Sequence, residues 1–213
     1  MSRILVFGDS IAYGQWDVEG GWVQRLRRFI DEKYLEKYLP PFPDPNFSSY
    51  LVYNLGIEQE ASEDLLKRVE SEMKSRSAEK TLVIFSIGIN DCRYYRSKKV
   101  FYTTLTKFED NIQKLIEIGK KFSAKIAFLG LTPVDETKMD PSPWSNDESF
   151  RNENVKKYND AIRKVCEKNN IHFIEIFDEW MKQDYKKFLF EGLHLNSKGH
   201  KKIFESVKDF SQK

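Results

Sequence analysis

Apolar residues gather in five short runs, Ile4 to Gly8, Tyr50 to Leu55, Thr81 to Ile87, Lys125 to Leu131 and Ile171 to Phe177. None alternates cleanly between apolar and polar positions, so they predict strands covered on both faces. Between them the period changes. Trp22, Leu26, Phe29 and Ile30 recur at helical spacing and predict a helix from Trp22 to Lys37. Ser62 has the chemistry of an N-cap ahead of Glu63 and Asp64, with Leu65, Val69 and Met73 on one face behind it. Phe108, Ile112, Leu115 and Gly119 form a third stripe, and Val155, Tyr158, Ile162 and Val165 a fourth. A last helix is expected to start near Asn196 or Ser197 and to bury Ile203, Val207 and Phe210.

Strands that alternate with helices of this length predict right-handed βαβ crossovers. The expected fold is therefore α/β, a three-layer α/β/α sandwich around a five-stranded parallel sheet. No repeat, heptad run or low-complexity tract competes with that reading. The seven prolines fall in two loops, Pro40 to Pro45 before the second strand and Pro133 to Pro143 after the fourth. Ligands bind outside the carboxyl ends of parallel strands, so the Pro133 to Asn146 loop is the one expected to shape a pocket.

Composition narrows the class. With 213 residues and no composition break, the chain reads as one domain, 1–213. Its hydrophobic content of 40% supplies a core, and 32% charged residues describe an ordinary surface. A net charge of +2 lacks the clustered basic field that nucleic acid requires. The apolar run after Arg3 is too short for a secretory leader, and no stretch approaches a membrane-spanning length, so no stable membrane insertion is expected. Two cysteines, Cys92 and Cys166, are too few for a disulfide framework and favour a reducing cytoplasm. In that compartment the sequon at Asn46 has no role.

Several polar residues stand just past the expected strand ends: Asp9 and Ser10 after the first, Gly56 after the second, Asn90 and Asp91 after the third. His194 lies beyond the fifth strand and ahead of the last helix. Parallel strands bring such positions to one rim. A serine and a histidine preceded by a carboxylate are the materials of a hydroxyl nucleophile and its base.

Four blocks in fixed order carry a family likeness: Gly8-Asp9-Ser10, Asn54-Leu55-Gly56, Gly88-Ile89-Asn90-Asp91 and Glu191-Gly192-Leu193-His194. With them the chain resembles the SGNH hydrolases of the GDSL esterase and lipase superfamily, which implies a flavodoxin-like sandwich and a serine hydrolase that needs no cofactor. By that resemblance Ser10 is the nucleophile and His194 its base, while the N–H groups of Ser10 and Gly56 and the Asn90 amide form the oxyanion hole. The family usually places aspartate three residues before the histidine. Here that residue is Glu191, whose extra methylene changes the reach; Asp178 is the nearest upstream aspartate and a weaker substitute.

The remaining candidates read mainly as structural. Asp9 and Asp91 suit loop hydrogen bonding, His172 and His200 suit structural roles, and Cys92, with no base expected beside it, suits an inert thiol. The histidines lack metal-ligand spacing and no phosphate-loop or dinucleotide motif is present, so neither metal nor nucleotide cofactor is expected. The basic segment that begins at Arg93 reads as a solvated face, with contact to an anionic or sugar part of a substrate as the alternative. Trp16 and Trp144 are placed in loops near the rim, as walls of an acyl or aryl pocket or as core or lid packing. The expected activity is cleavage of carboxylic esters of small or medium acyl groups. Sugar O-acetyl esterase, thioesterase or lysophospholipase activity is the enzymatic alternative, and a silent binding module on the same fold is the other. The sequence leaves the oligomeric state open.

Overall fold

A computed structural model describes residues 2–38, 50–122 and 124–210. The proline group from Pro40 to Pro45 and the sequon at Asn46 lie outside the described residues. Among the described residues the strands are β1 (Ser2–Gly8), β2 (Tyr50–Gly56), β3 (Thr81–Ser86), β4 (Tyr94–Tyr95), β5 (Val100–Phe101), β6 (Lys125–Leu129), β7 (Glu148–Ser149) and β8 (His172–Ile174). The helices are α1 (Ser10–Tyr13), α2 (Gly21–Tyr38), α3 (Ser62–Arg76), α4 (Leu105–Lys121), α5 (Glu136–Met139), α6 (Asn152–Asn169), α7 (Phe177–Met181) and α8 (Ser197–Lys208).

The five longest apolar runs pair as one parallel sheet in the order β2-β1-β3-β6-β8. Every residue of β3 is buried, which explains why its sequence carries no alternation. Phe7, Phe85 and Phe128 stand in register on β1, β3 and β6 and form a ladder, with ring centroids 5.7 and 4.9 Å apart. α2 packs on α8, whereas α3, α4 and α6 pack in series. Right-handed crossovers put these two groups on opposite faces of the sheet, giving the three-layer sandwich.

Strand ends shift by a residue or more from the sequence reading, and larger differences have local causes. Ser62 is the first helical residue of α3 rather than its cap, because its hydroxyl and N–H are both taken by Asp91. The last strand stops at Ile174, since Phe177 already begins α7. A second sheet of three two-residue strands, in the order β5-β4-β7, takes its middle strand from the basic segment that begins at Arg93 and reads as a solvated face. Phe210 is half-buried just past α8 and stacks on His172, centroids 4.3 Å apart.

Strand order fixes where a site forms. The chain leaves β1 for β2 on one side and returns to β3 on the other, so the switch point of the sheet lies between β1 and β3. Gly8, Gly56 and Ser86 share one register level there. A Cβ on Gly56 would lie 2.3 Å from Tyr13 N, so glycine lets the end of β2 meet the backbone of α1.

His200 is wholly buried in α8, and burial pushes its pKa from 6.5 down to about 4. The unfolded chain therefore binds more protons between these values, and the stability this neutral imidazole contributes is lost as pH falls from 6.5 towards 4. Asp9 titrates in the opposite sense, since burial first, with the charges of Asp91 and Glu60, pushes it up to about 7. The two slopes offset each other in the wild type. Their difference is measurable: between pH 7 and pH 4, urea unfolding should show His200→Leu gaining about 3 kcal/mol on the wild type. A constant gap across that range would show that His200 does not titrate with the fold.

Candidate active site

Ser10 enters the site through local backbone chemistry. β1 ends at Gly8, Asp9 adopts extended backbone as the N-cap of α1 and accepts the Ile11 N–H at 2.9 Å, and Ser10 becomes the first helical residue. The N–H of a first helical residue has no partner within its helix. Gly14, at φ +92°, closes this single turn in the left-handed conformation.

His194 arrives from the other end of the chain. Asn196 caps α8 by accepting the N–H groups of Lys198 and Gly199, which fixes the loop just behind the histidine. His194 Nε2 lies 2.9 Å from Ser10 Oγ. Its Nδ1 is hydrogen-bonded to Glu191 Oε1, and the same oxygen accepts the His194 N–H at 3.1 Å. Gly192, at φ +124°, allows the loop to fold back so that the glutamate reaches the ring. Burial would raise the Glu191 pKa, but the imidazole's hydrogen bond and charge outweigh it and hold the carboxyl below its usual range. Asp178 is engaged elsewhere, with its carboxylate 2.7 Å from Arg163 Nη2.

The third wall comes from the loops after β2 and β3. Asn90 Nδ2 donates to the Glu60 carbonyl at 3.0 Å, which leaves the second amide N–H for the cavity that Asn90 lines. Buried Asp91 accepts the Ser62 N–H at 2.9 Å and the Ser62 hydroxyl at 2.6 Å. Glu60 is itself gripped by Arg68 through two oxygens, each at 2.5 Å. These bonds clasp the 57–62 loop to the Asn90 turn.

Gly56 is not brought to the cavity. Its N–H donates to Asn54 Oδ1 at 3.0 Å, and it does not line the cavity beside Ser10. Glu58 and Gln59 reach it instead. Gln59 holds φ at +61°, a left-handed conformation that an L side chain adopts at a cost and that turns its peptide group relative to an extended chain. Sequence reasoning missed it because no glycine marks the position.

The cavity has a volume of about 380 Å³ and contains Ser10, Asn90 and His194. Trp16, Trp144 and Arg93 all line it. Phe190 and Glu148 line it as well, and neither carried a motif in the sequence. Cys92 is buried with its Sγ 3.1 Å from the Ile89 carbonyl, and burial raises its thiol pKa far above neutrality. Such a thiol does not ionise at neutral pH. A neutral imidazole bridging a hydroxyl and a carboxylate can accept the hydroxyl proton and return it to a leaving group.

The model of the GDSL-like lipase/acylhydrolase family matches residues 6–202. Among solved structures, a lipase/acylhydrolase from Enterococcus faecalis is similar at a TM-score of 0.74 and 20% identity, over 99% of this chain and 95% of that one. The acetyl xylan esterase AlAXEase gives a TM-score of 0.75 at 20% identity, over 98% of each chain. The psychrotrophic esterase EstA from Pseudoalteromonas sp. gives 0.68 at 18% identity, over 99% and 96%. These likenesses establish the fold. Comparison with the curated proteins gives no match.

Proposed function

Since the chain belongs to the GDSL-like lipase/acylhydrolase family and is a carboxylic ester hydrolase, we propose that it cleaves esters of small or medium acyl groups through an acyl-serine intermediate. The observation that carries this reading is the line of contacts from Ser10 Oγ through His194 to Glu191. Ser10 Oγ attacks the carbonyl carbon while its proton passes to His194 Nε2, and the carbonyl π electrons move to oxygen. Collapse expels the alcohol oxygen, which takes the proton from Nε2. Water then attacks the acyl-serine, gives a proton to Nε2, and the acid leaves as that proton returns to Ser10.

Glu191 orients the imidazole and stabilises its positive charge. The oxyanion is received by the Ser10 N–H, the Asn90 amide and the Gln59 N–H, in place of the Gly56 N–H, which is committed to Asn54. A contrast of variants tests this set. Asn90→Ala removes a side-chain donor and should lower kcat by roughly two orders of magnitude, whereas Gln59→Gly keeps its N–H and should not. Equal losses in both would assign the donor to the glutamine side chain.

The silent-module alternative rested on the Glu191 departure, and the contact of Glu191 with the ring removes its motive. Turnover of p-nitrophenyl acetate and longer-chain esters, with labelling of Ser10 by an organophosphonate, tests the hydrolase reading directly. Absence of both would overturn it. Both cysteines are buried and free, which supports a reducing cytoplasm as the working compartment. No helix of the described residues is long and apolar enough to cross a membrane.

A further inference from the structure

Gln59 lines the cavity in a conformation that its own side chain does not favour. The Glu60 N–H donates to the Ile57 carbonyl at 3.3 Å, which closes a turn with Gln59 at its third position and φ at +61°. Such a turn ordinarily takes glycine there, and an L side chain adopts left-handed backbone at a cost. The turn must therefore be held from outside. At its start the Ile57 N–H donates to the Gly8 carbonyl at 2.9 Å. Past its end stands Ser62.

Ser62 is wholly buried and does not line the cavity. It opens α3, where the first N–H groups need acceptors from beyond the helix, and Ala61 before it has no side-chain oxygen to offer. Asp91 supplies the acceptors from the loop after β3, with one oxygen taking the Ser62 N–H at 2.9 Å and the other its hydroxyl at 2.6 Å. Asn111 on α4 sets the direction of that hydroxyl. Its Nδ2 donates to Ser62 Oγ at 2.9 Å, which leaves the single hydroxyl proton for Asp91. Asn111 shares the buried face of α4 with Phe108, Ile112 and Leu115, and its Oδ1 has no partner among the described residues. A buried acceptor left unmet costs stability, and apolar packing gives no reason for an amide there. Its hydrogen bond to Ser62 does.

Ser62 thus ties α3, the loop after β3 and α4 together at the end of the segment that carries Gln59. Resting on the hydrolase reading and its oxyanion donors, we infer that Ser62 is a positioning residue for the reaction: fixed by Asp91 and Asn111, it keeps Gln59 in the left-handed turn from which its N–H meets the oxyanion. Among the described residues none of these three side chains hydrogen-bonds to Ser10, His194 or Glu191. Loosening Ser62 therefore acts on the oxyanion and spares proton transfer.

The test uses the full chain on p-nitrophenyl acetate. Ser62→Ala should lower kcat about tenfold and slow organophosphonate labelling of Ser10 by a similar factor, with KM and the pH midpoint of kcat/KM unmoved. Adding Gln59→Gly should recover most of that loss, because glycine holds left-handed backbone without outside support. A serine that served only the fold would not be rescued at position 59. Asp91→Asn, alone and with Gln59→Gly, provides the same readout should Ser62→Ala not fold, with circular dichroism reporting the fold. Unchanged kcat in the folded variant, a loss that Gln59→Gly does not relieve, or a shifted pH midpoint would overturn the inference while leaving the hydrolase reading intact. No turnover of any ester and no phosphonate labelling of Ser10 in the wild type would bring down both.

Discussion

Ser10→Ala is expected to reduce kcat/KM on p-nitrophenyl acetate by roughly 10⁴-fold or more, with circular dichroism unchanged. The proposed route has no substitute for the lost oxygen. Cys92 is buried, its thiol pKa is raised, and it has no imidazole beside it. Water on His194 would remain as the base-assisted attacker, but it lacks the fixed 2.9 Å contact that Ser10 Oγ makes with Nε2. The small size of the change keeps the fold out of the result, because only a hydroxyl at the start of a one-turn helix is removed. Pre-steady-state mixing sharpens the test: the wild type should release p-nitrophenol in a burst, and the variant should show none. A variant that kept more than a few per cent of the activity would place the nucleophile elsewhere.

Glu191 carries the second large effect. Glu191→Gln should cost roughly 10³ to 10⁴ in kcat, because an amide in place of the carboxylate no longer favours the tautomer with its proton on Nδ1 and cannot balance an imidazolium. Glu191→Asp retains the charge but shortens the side chain by one methylene. At this site the same carboxylate oxygen holds both the His194 ring and its backbone N–H, so retraction loosens both contacts. A loss of about 10²-fold is expected, the scale of an ångström's misplacement. The order Glu, then Asp, then Gln is the outcome the geometry predicts. Full activity in Glu191→Ala would remove the glutamate from the mechanism and leave a serine–histidine pair.

Much of this was legible in the sequence for a physical reason. The apolar runs that make β1, β3 and β6 are buried almost throughout, and helices of matching length leave a parallel sheet as the economical way to cover them, whereas β2, read as covered on both faces, lies at the sheet edge with no residue fully buried. That reading also brought Ser10, Asn90 and His194 to one rim and the family likeness added Glu191; all four line one cavity. Gly56 was misplaced because a sequence shows which residues have N–H groups but not which are already engaged. The Asn54 side chain takes this one. Gln59 was missed because a left-handed backbone is marked in sequence by glycine, and here it is imposed on glutamine by the bonds at Glu60 and Ser62. β4, β5 and β7 are two residues each, too short for any period to appear. The Trp16–Phe190 stack joins two loops far apart in the chain, and no local pattern announces such a contact.

The order of the elements along the chain bears on synthesis. Ser10 follows the first strand, which becomes an interior strand of the sheet, whereas His194 follows β8, which pairs at the edge. A ribosome releases chain from its amino end. Ser10 is therefore an unassisted hydroxyl while residues 11–193 are made, and it gains its base only after the edge strand and the loop behind it have emerged. Ester cleavage by a nascent chain thus reports completion of the sheet rather than its beginning.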